Sequence, residues 1–319
     1  MLGTLLAAVL TGVLAAPLVA VAQFPGKPIR VVVPFPAGSA TDTVTRILAN
    51  SVSQSVGQPL VVENKAGADG AIAASEVARS PADGYTLLMA TNSPMSAVPA
   101  MKKNPPYDPV ADFTPITDVG RYTFFIVVHP SVPARTLAEL IDYARANPGK
   151  LNYATGNTTG IVSSAFFSSQ AKIKMVHVPY KGEPQAITDL VAGRVQFMFC
   201  SSSTSIPHIR EGKLRAVVTT LPTRSTLLPD VPSIAEAGMP QFSITSWAGL
   251  FGPAKLPREV VERLNREFGA AMARSDVQAA MERQAFALTP SSPEQLAGFV
   301  KEQLESYRRT LEAAGVQPE

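Results

Sequence analysis

Residues 29–33 read Ile-Arg-Val-Val-Val and run directly into Pro34-Phe35-Pro36-Ala37-Gly38-Ser39-Ala40-Thr41-Asp42. Behind that loop, apolar residues recur at Val44, Ile47, Leu48 and Val52. A short apolar run, a tight turn and a helical period in that order predict a buried strand, a loop and a helix packed on a sheet. Gly38 permits close backbone approach, and Ser39 or Thr41 can cap the helix. Asp42 falls in the first turn, where a carboxylate is favoured. The unpaired N–H groups of that turn make a seat for a carboxylate or phosphate above the strand end.

The same rhythm repeats along the chain. Residues 59–64 and 85–90 read as strands, and 71–78 as a small-residue helix. The strand at 85–90 ends in Thr91-Asn92-Ser93, polar groups at a carboxyl edge. Residues 99–115, rich in proline and polar groups, read as a surface connection. A second series follows: strand 124–129, a helix through Ala146 opened by a Thr136/Glu139 capping box, strand 151–154, a polar loop over 155–160 and a helix over 161–170. Strand 174–178 then leads through Pro179-Tyr180-Lys181-Gly182 to a helix over 185–192. Strand 195–199 ends in a polar loop over 200–204, and a short helix at 206–210 precedes strand 214–219. Residues 246–251 read as a strand or hinge. The last region is helical: Pro257 opens one amphipathic run, and a Ser292/Gln295 capping box opens another. Alternation of this kind predicts an α/β protein with two strand–helix units in sequence.

Residues 1–22 carry no charge and are mostly Leu, Ala and Val, ending Val19-Ala20-Val21-Ala22. They read as a secretory signal peptide cleaved after Ala22, although the basic residues that usually precede such a stretch are missing. No later stretch is apolar for long enough to span a bilayer. Cys200 is the one cysteine, so no intramolecular disulfide forms. A formal net charge of +3 over 319 residues, without a dense Lys/Arg tract, argues against nucleic acid as a partner.

Catalytic chemistry has no residues to carry it. His129, His177 and His208 are not spaced as metal ligands, and no Cys/His cluster exists, so neither a metal nor another cofactor is expected. No Gly-x-Ser-x-Gly elbow, dinucleotide fingerprint or phosphate-loop lysine appears. Asp108 and Asp112 sit in a proline-rich segment and read as solvated. What recurs instead is a set of donors after strands: Gly38-Ser39, Thr91-Asn92-Ser93, residues 155–159, Tyr180-Lys181-Gly182 and residues 201–204. Open α/β sheets bind ligands at strand carboxyl ends. Two such sheets face to face would grip an anion between amides and hydroxyls.

The chain resembles the Bug family, the substrate-binding proteins of tripartite tricarboxylate transporters. The resemblance is carried by Lys27-Pro28-Ile29-Arg30, Val33-Pro34-Phe35, Gly57-Gln58-Pro59, Val62-Glu63-Asn64, Ala82-Asp83-Gly84-Tyr85-Thr86-Leu87-Leu88 and Tyr107-Asp108-Pro109. Further matches are His177-Val178-Pro179-Tyr180-Lys181-Gly182, Pro207-His208-Ile209, Gly212-Lys213-Leu214-Arg215-Ala216, Leu228-Pro229-Asp230-Val231-Pro232 and Glu236-Ala237-Gly238. It implies an α/β, two-lobed periplasmic-binding-protein (Venus flytrap) architecture with a ligand cleft between the lobes. Residues 23–122 and 246–319 would form lobe 1, and residues 123–245 lobe 2. It also implies a non-enzymatic, monomeric periplasmic protein that captures a small organic carboxylate for a membrane permease. A role reporting the acid to a sensor protein has the same fold.

Carried over by position, the resemblance puts Phe35, Pro36, Ala37, Gly38, Ser39, Ala40, Thr41 and Asp42 in the first carboxylate loop, with Thr91, Asn92 and Ser93 beside it. The second-lobe loop would hold Thr155, Asn157, Thr158, Thr159 and Gly160, with Tyr180 and Lys181 near the cleft and Cys200, Ser201 and Ser202 as a side wall. Three departures bear on the ligand. The usual double glycine is Gly38-Ser39, the Ser-Ser-His pattern after Thr159 is broken by Gly160-Ile161, and the common Asp at position 200 is Cys200. Loss of that carboxylate favours an aromatic or plain aliphatic acid over an acidic amino acid.

Overall fold

A computed structural model describes residues 24–221, 223–240, 242, 246–313 and 318. The expected signal peptide lies outside these residues. The first strand, β1 (Ile29–Val33), is buried except at Arg30, whose guanidinium pairs with Glu63 at 2.9 Å and Glu76 at 2.6 Å. Helix α1 (Ala40–Val56) follows the loop and stops at Gly57, which takes a left-handed conformation at φ 68°. Strand β2 (Leu60–Asn64) pairs parallel with β1, helix α2 (Ala71–Ala78) crosses, and β3 (Thr86–Thr91) pairs parallel on the other side of β1.

The region read as a surface connection departs from expectation at both ends. Ser93–Ala97 forms one wide helical turn that runs into the short helix α3 (Val98–Met101), and both are largely buried. The chain then enters β4 (Phe113–Tyr122), ten residues long. Pro115, Asp118 and Gly120 break its apolar pattern, and its register with the partner strand shifts twice, so no period of two survives in the sequence.

The second unit runs β5 (Phe124–Val128), α4 (Leu137–Ala146), β6 (Asn152–Thr155), α5 (Thr158–Ala171), β7 (Val176–Pro179), α6 (Glu183–Val191), β8 (Phe197–Ser201), α7 (Ser202–Arg210) and β9 (Arg215–Thr219). Both bonds of the Thr136/Glu139 capping box are present. The chain returns through β10 (Ser246–Pro253), α8 (Arg258–Ala273), α9 (Ser275–Arg283), β11 (Phe286–Leu288) and α10 (Pro293–Ala313). The Ser292/Gln295 box opens α10.

Among the described residues the strands form two mixed sheets. One has the order β11-β4-β10-β3-β1-β2 and the other β7-β6-β8-β5-β9. In the first, β10 lies antiparallel between β3 and β4; in the second, β5 lies antiparallel between β8 and β9. The architecture is the two-lobed α/β one. Apolar faces of α1 and α8 (Leu48, Val52, Leu264, Phe268) cover the first sheet. An aromatic cluster fills the second, with Phe167 on Phe197 at 5.6 Å and Phe199 on Phe242 at 5.5 Å between ring centres.

One residue, Thr123, separates the two sheets on the outward pass. Its N–H and hydroxyl both donate to the Ala285 carbonyl, and its own carbonyl accepts from Ser202 N–H at 2.9 Å. Val162 of α5 shares an apolar cluster with Leu304, Tyr307 and Leu311 of α10, which ties the lobes together behind the crossing.

Candidate functional site

The carboxyl ends of β1, β3 and β6 and the amino ends of α1 and α5 meet at one cleft between the sheets. Its walls are Phe35, Ser39, Ala40, Thr41, Thr91, Asn92, Ser93, Tyr122 and Ser246 from one lobe, and Phe124, Gly156, Asn157, Thr159 and Glu183 from the other. The cleft, with the solvent-filled mouth it opens into, has a volume of about 390 Å³. It is narrow because the lobes touch.

The first wall is organised by a carboxylate that does not itself face the cleft. Asp42 is 4% exposed, and its two oxygens accept from Gly38 N–H at 2.9 Å, Arg46 Nε at 3.0 and 3.1 Å, and Asn64 Nδ2 at 2.9 Å. Asn64 also donates to the Phe35 carbonyl at 3.0 Å. Burial raises the Asp42 pKa, but the bonds from Arg46, Gly38 and Asn64 outweigh it and hold the carboxyl below its ordinary range. The loop over 35–39 is thereby fixed, and Ser39 Oγ caps α1 by accepting from Asp42 N–H at 3.3 Å. The N–H groups of Ala40 and Thr41 have no intrahelical carbonyl to reach. Both residues line the cleft.

On the facing wall, Asn157 caps α5 by accepting from Gly160 N–H at 2.8 Å. Helical dipoles from both lobes therefore converge on the same space, which favours an anion there. Hydroxyl groups complete the lining. Tyr122 donates to Thr41 Oγ1 at 3.0 Å, and its phenol pKa is pushed far up by burial. Asn92 Nδ2 donates across the lobes to Thr159 Oγ1 at 2.7 Å and also to the Tyr307 hydroxyl. Ser93 Oγ lies 2.9 Å from Thr159 Oγ1 and accepts from Thr159 N–H. Burial pushes the Tyr307 phenol up to about 12, so it remains a neutral partner.

Two glycines set the spacing. A Cβ on Gly156 would stand 2.3 Å from Glu183 N, so only glycine lets the end of β6 pass the start of α6. A Cβ on Gly182 would stand 2.7 Å from Pro36 Cγ, which places the two loops in contact across the mouth.

Several residues expected in the site stand elsewhere. Pro36 lies at the rim, while Ala37 and Gly38 belong to the loop behind it rather than to the cleft wall. Thr155 is hydrogen-bonded to His177 Nε2 at 2.7 Å, and Thr158 Oγ1 is sealed without a partner. Gly160 serves the Asn157 cap. Tyr180 donates to Asp189 at 2.7 Å, away from the wall, and Lys181 is exposed. Cys200 is 0% exposed among Phe125, Val127 and Ile206, and burial, then the Glu183 charge, raises its thiol pKa well above the ordinary value. Residues 200–204 are not a loop: Cys200 and Ser201 finish β8, so the Cys200 side chain enters the core of the sheet. Ser202 Oγ donates to the Gln284 carbonyl at 2.5 Å.

Four wall residues were not expected: Tyr122, Phe124, Glu183 and Ser246; Gly156 falls within the expected loop over 155–160. Tyr122, Phe124 and Ser246 flank the crossings between sheets. Glu183 opens α6, and an acidic residue just after Tyr-Lys-Gly is the signal that could have found it.

The model of the tripartite tricarboxylate transporter family receptor matches residues 44–316. This chain belongs to that receptor family. The receptor is similar to protein BugT of Bordetella pertussis, 33% identical over 310 residues that cover 96% of this chain and 94% of BugT. It is similar in structure to Rpa4515 of R. palustris with adipate, with a TM-score of 0.90, 31% identity, 93% of this chain covered and 100% of that one. MatC from Rhodopseudomonas palustris with bound malate gives a TM-score of 0.86 at 31% identity, covering 90% and 100%. The receptor is thus a solute-binding protein of the periplasmic kind. Among its described residues no group of His, Cys, Asp and Glu is placed to hold a metal, and no helix is long and apolar enough to cross a membrane.

Proposed function

We propose that this receptor captures a small organic carboxylate, aliphatic or aromatic, in the periplasm and presents it to the membrane permease of a tripartite tricarboxylate-type transporter. The observation that carries the reading is the convergence of the α1 and α5 amino ends on one cleft lined with hydroxyls. One carboxylate sits between the N–H groups of Ala40 and Thr41 and the polar groups of Ser39, Thr91, Asn157 and Thr159. Charge-assisted bonds of this kind are roughly twice as strong as neutral ones. The lobes divide at Thr123 on the outward pass and before Ser246 on the return. Closure brings Pro36 onto Gly182 and Asn92 onto Thr159, so the closed surface offered to a permease exists only when both lobes meet. No step alters the ligand. Relatives of the same fold that carry adipate and malate support the ligand class.

The test is a thermal-shift screen of organic acids on ligand-stripped protein, followed by titration calorimetry of the best hit. A ligand that binds only the folded state at a hundred times its Kd adds about 2.7 kcal/mol to stability. A broad panel that leaves the melting temperature unmoved, or an acid converted to product, would overturn the proposal.

A further inference from the structure

Cys200 suggested that the cleft has no acid to meet a second ligand group. The wall restores one from another element. Glu183, the first residue of α6, lines the cleft and is 6% exposed. Its hydrogen bonds fall on one oxygen: Oε2 accepts from Ser201 Oγ at 2.5 Å, Thr204 Oγ1 at 3.0 Å and Ser201 N–H at 3.4 Å. Oε1 accepts none of these, and it is not among the sealed polar atoms without a partner. Gly156, whose missing Cβ leaves room for the start of α6, makes this approach to the cleft possible.

The charge balance is incomplete. Among the described residues no Lys, Arg or His pairs with Glu183. The partners on Oε2 are two hydroxyls and one amide, and Tyr122 and Cys200 beside it contribute no positive charge. Oε1 is not sealed, so it stands open on the cleft as an acceptor that a ligand donor can take over from water. The facing wall already supplies N–H groups for the carboxylate of a ligand, so that donor comes from another part of the same molecule.

We infer that Glu183 is the specificity-determining residue of the cleft: its Oε1 accepts a hydrogen bond from a hydroxyl or ammonium group of the bound acid, so the receptor selects hydroxy or amino acids over the plain acid of equal length. This rests on the proposed capture of a small carboxylate. The chemistry shared by the two candidate groups is donation of a hydrogen bond. A site built to serve such a donor rejects the analogue that lacks it far more strongly than an apolar pocket rejects an extra methylene.

The experiment is calorimetric titration of the full mature protein with matched sets of acids: succinate, malate and aspartate, and likewise glutarate, 2-hydroxyglutarate and glutamate. The expected result is that the hydroxy or amino member of at least one set binds at least about tenfold more tightly than its plain member. The hydroxy and amino arms show which donor is read. In Glu183→Gln an amide NH2 replaces the free acceptor, so donor meets donor, and the preference should shrink to about threefold or less. Equal binding within both sets, or a preference unchanged in Glu183→Gln, overturns the inference and leaves acid capture standing. Absence of binding by all six also overturns it, and the wider panel then decides separately whether acid capture survives. Should Glu183→Gln fail to fold by circular dichroism, the wild-type ratios alone decide.

Discussion

The two walls of the cleft each hold one buried carboxyl, and they use it in opposite ways. Asp42 stands behind its loop, surrounded by Arg46, Asn64 and the Gly38 N–H, and its pKa is lowered. Glu183 stands on the wall with only hydroxyls and an amide for company, and burial raises its pKa. The residue type is nearly the same, and the partners decide the role. A carboxylate served on both oxygens builds structure, whereas one served on a single oxygen remains available to a ligand.

The largest way to break the contrast is to remove the space that brings Glu183 to the wall. Gly156→Ala puts a methyl against the α6 backbone, and overpacking of this kind costs about 3 kcal/mol. Chemical denaturation should show that loss, together with abolished acid binding. Asp42→Ala comes next. It leaves the Gly38 N–H and one of the two Asn64 amide hydrogens without an acceptor, for a loss of about 2 kcal/mol in the same assay and weaker binding through a loosened loop. Binding that survives at wild-type strength would show that the loop needs no such brace.

Gly182→Ala sharpens the comparison by leaving both carboxyls alone and wedging the rim apart at Pro36. Its stability should stay near wild type while Kd rises about tenfold, equivalent to 1.4 kcal/mol. Small-angle scattering with saturating ligand should then report a more open particle.

The smallest effect is one of sign. Asp42, lowered from an ordinary 3.8, contributes stability at neutral pH that is lost as pH falls through its folded-state pKa. The advantage of wild type over Asp42→Asn should therefore shrink in acid. Glu183, raised from an ordinary 4.5, does the reverse: its contribution is present at low pH and is lost as pH rises through the raised value. Glu183→Gln should gain on wild type in melting temperature as pH increases from about 4 to 8. Parallel slopes for the two variants would erase the distinction drawn here.

Much of this arrangement is written locally in the chain. The β1–α1 corner, its Ser39 cap and both capping boxes depend on residues three or four apart, and each formed where those residues stand. What escaped depends on distant partners. β4 is a strand because β10 and β11 flank it, even though Pro115 and Gly120 argue against one. The side-chain direction of Cys200 depends on how far β8 extends, and that is fixed by its pairing with β5 from Phe124–Ser201 to Val128–Phe197. Glu183 reached the wall because Gly156, 27 positions earlier, made room for it. No window short enough to show a period could report these.

Thr123 has a mechanical consequence. Its two chain neighbours, Tyr122 and Phe124, both line the cleft, so under the proposed function the pivot of the lobes would run along the floor on which the ligand rests. A guest seated that close to the fulcrum works on a short arm, while Pro36 and Gly182 ride at the far end of a long one. On the proposed reading, one superfluous atom at the floor would be magnified into a gap at the lips, and cargo size would be gauged by whether those lips can shut.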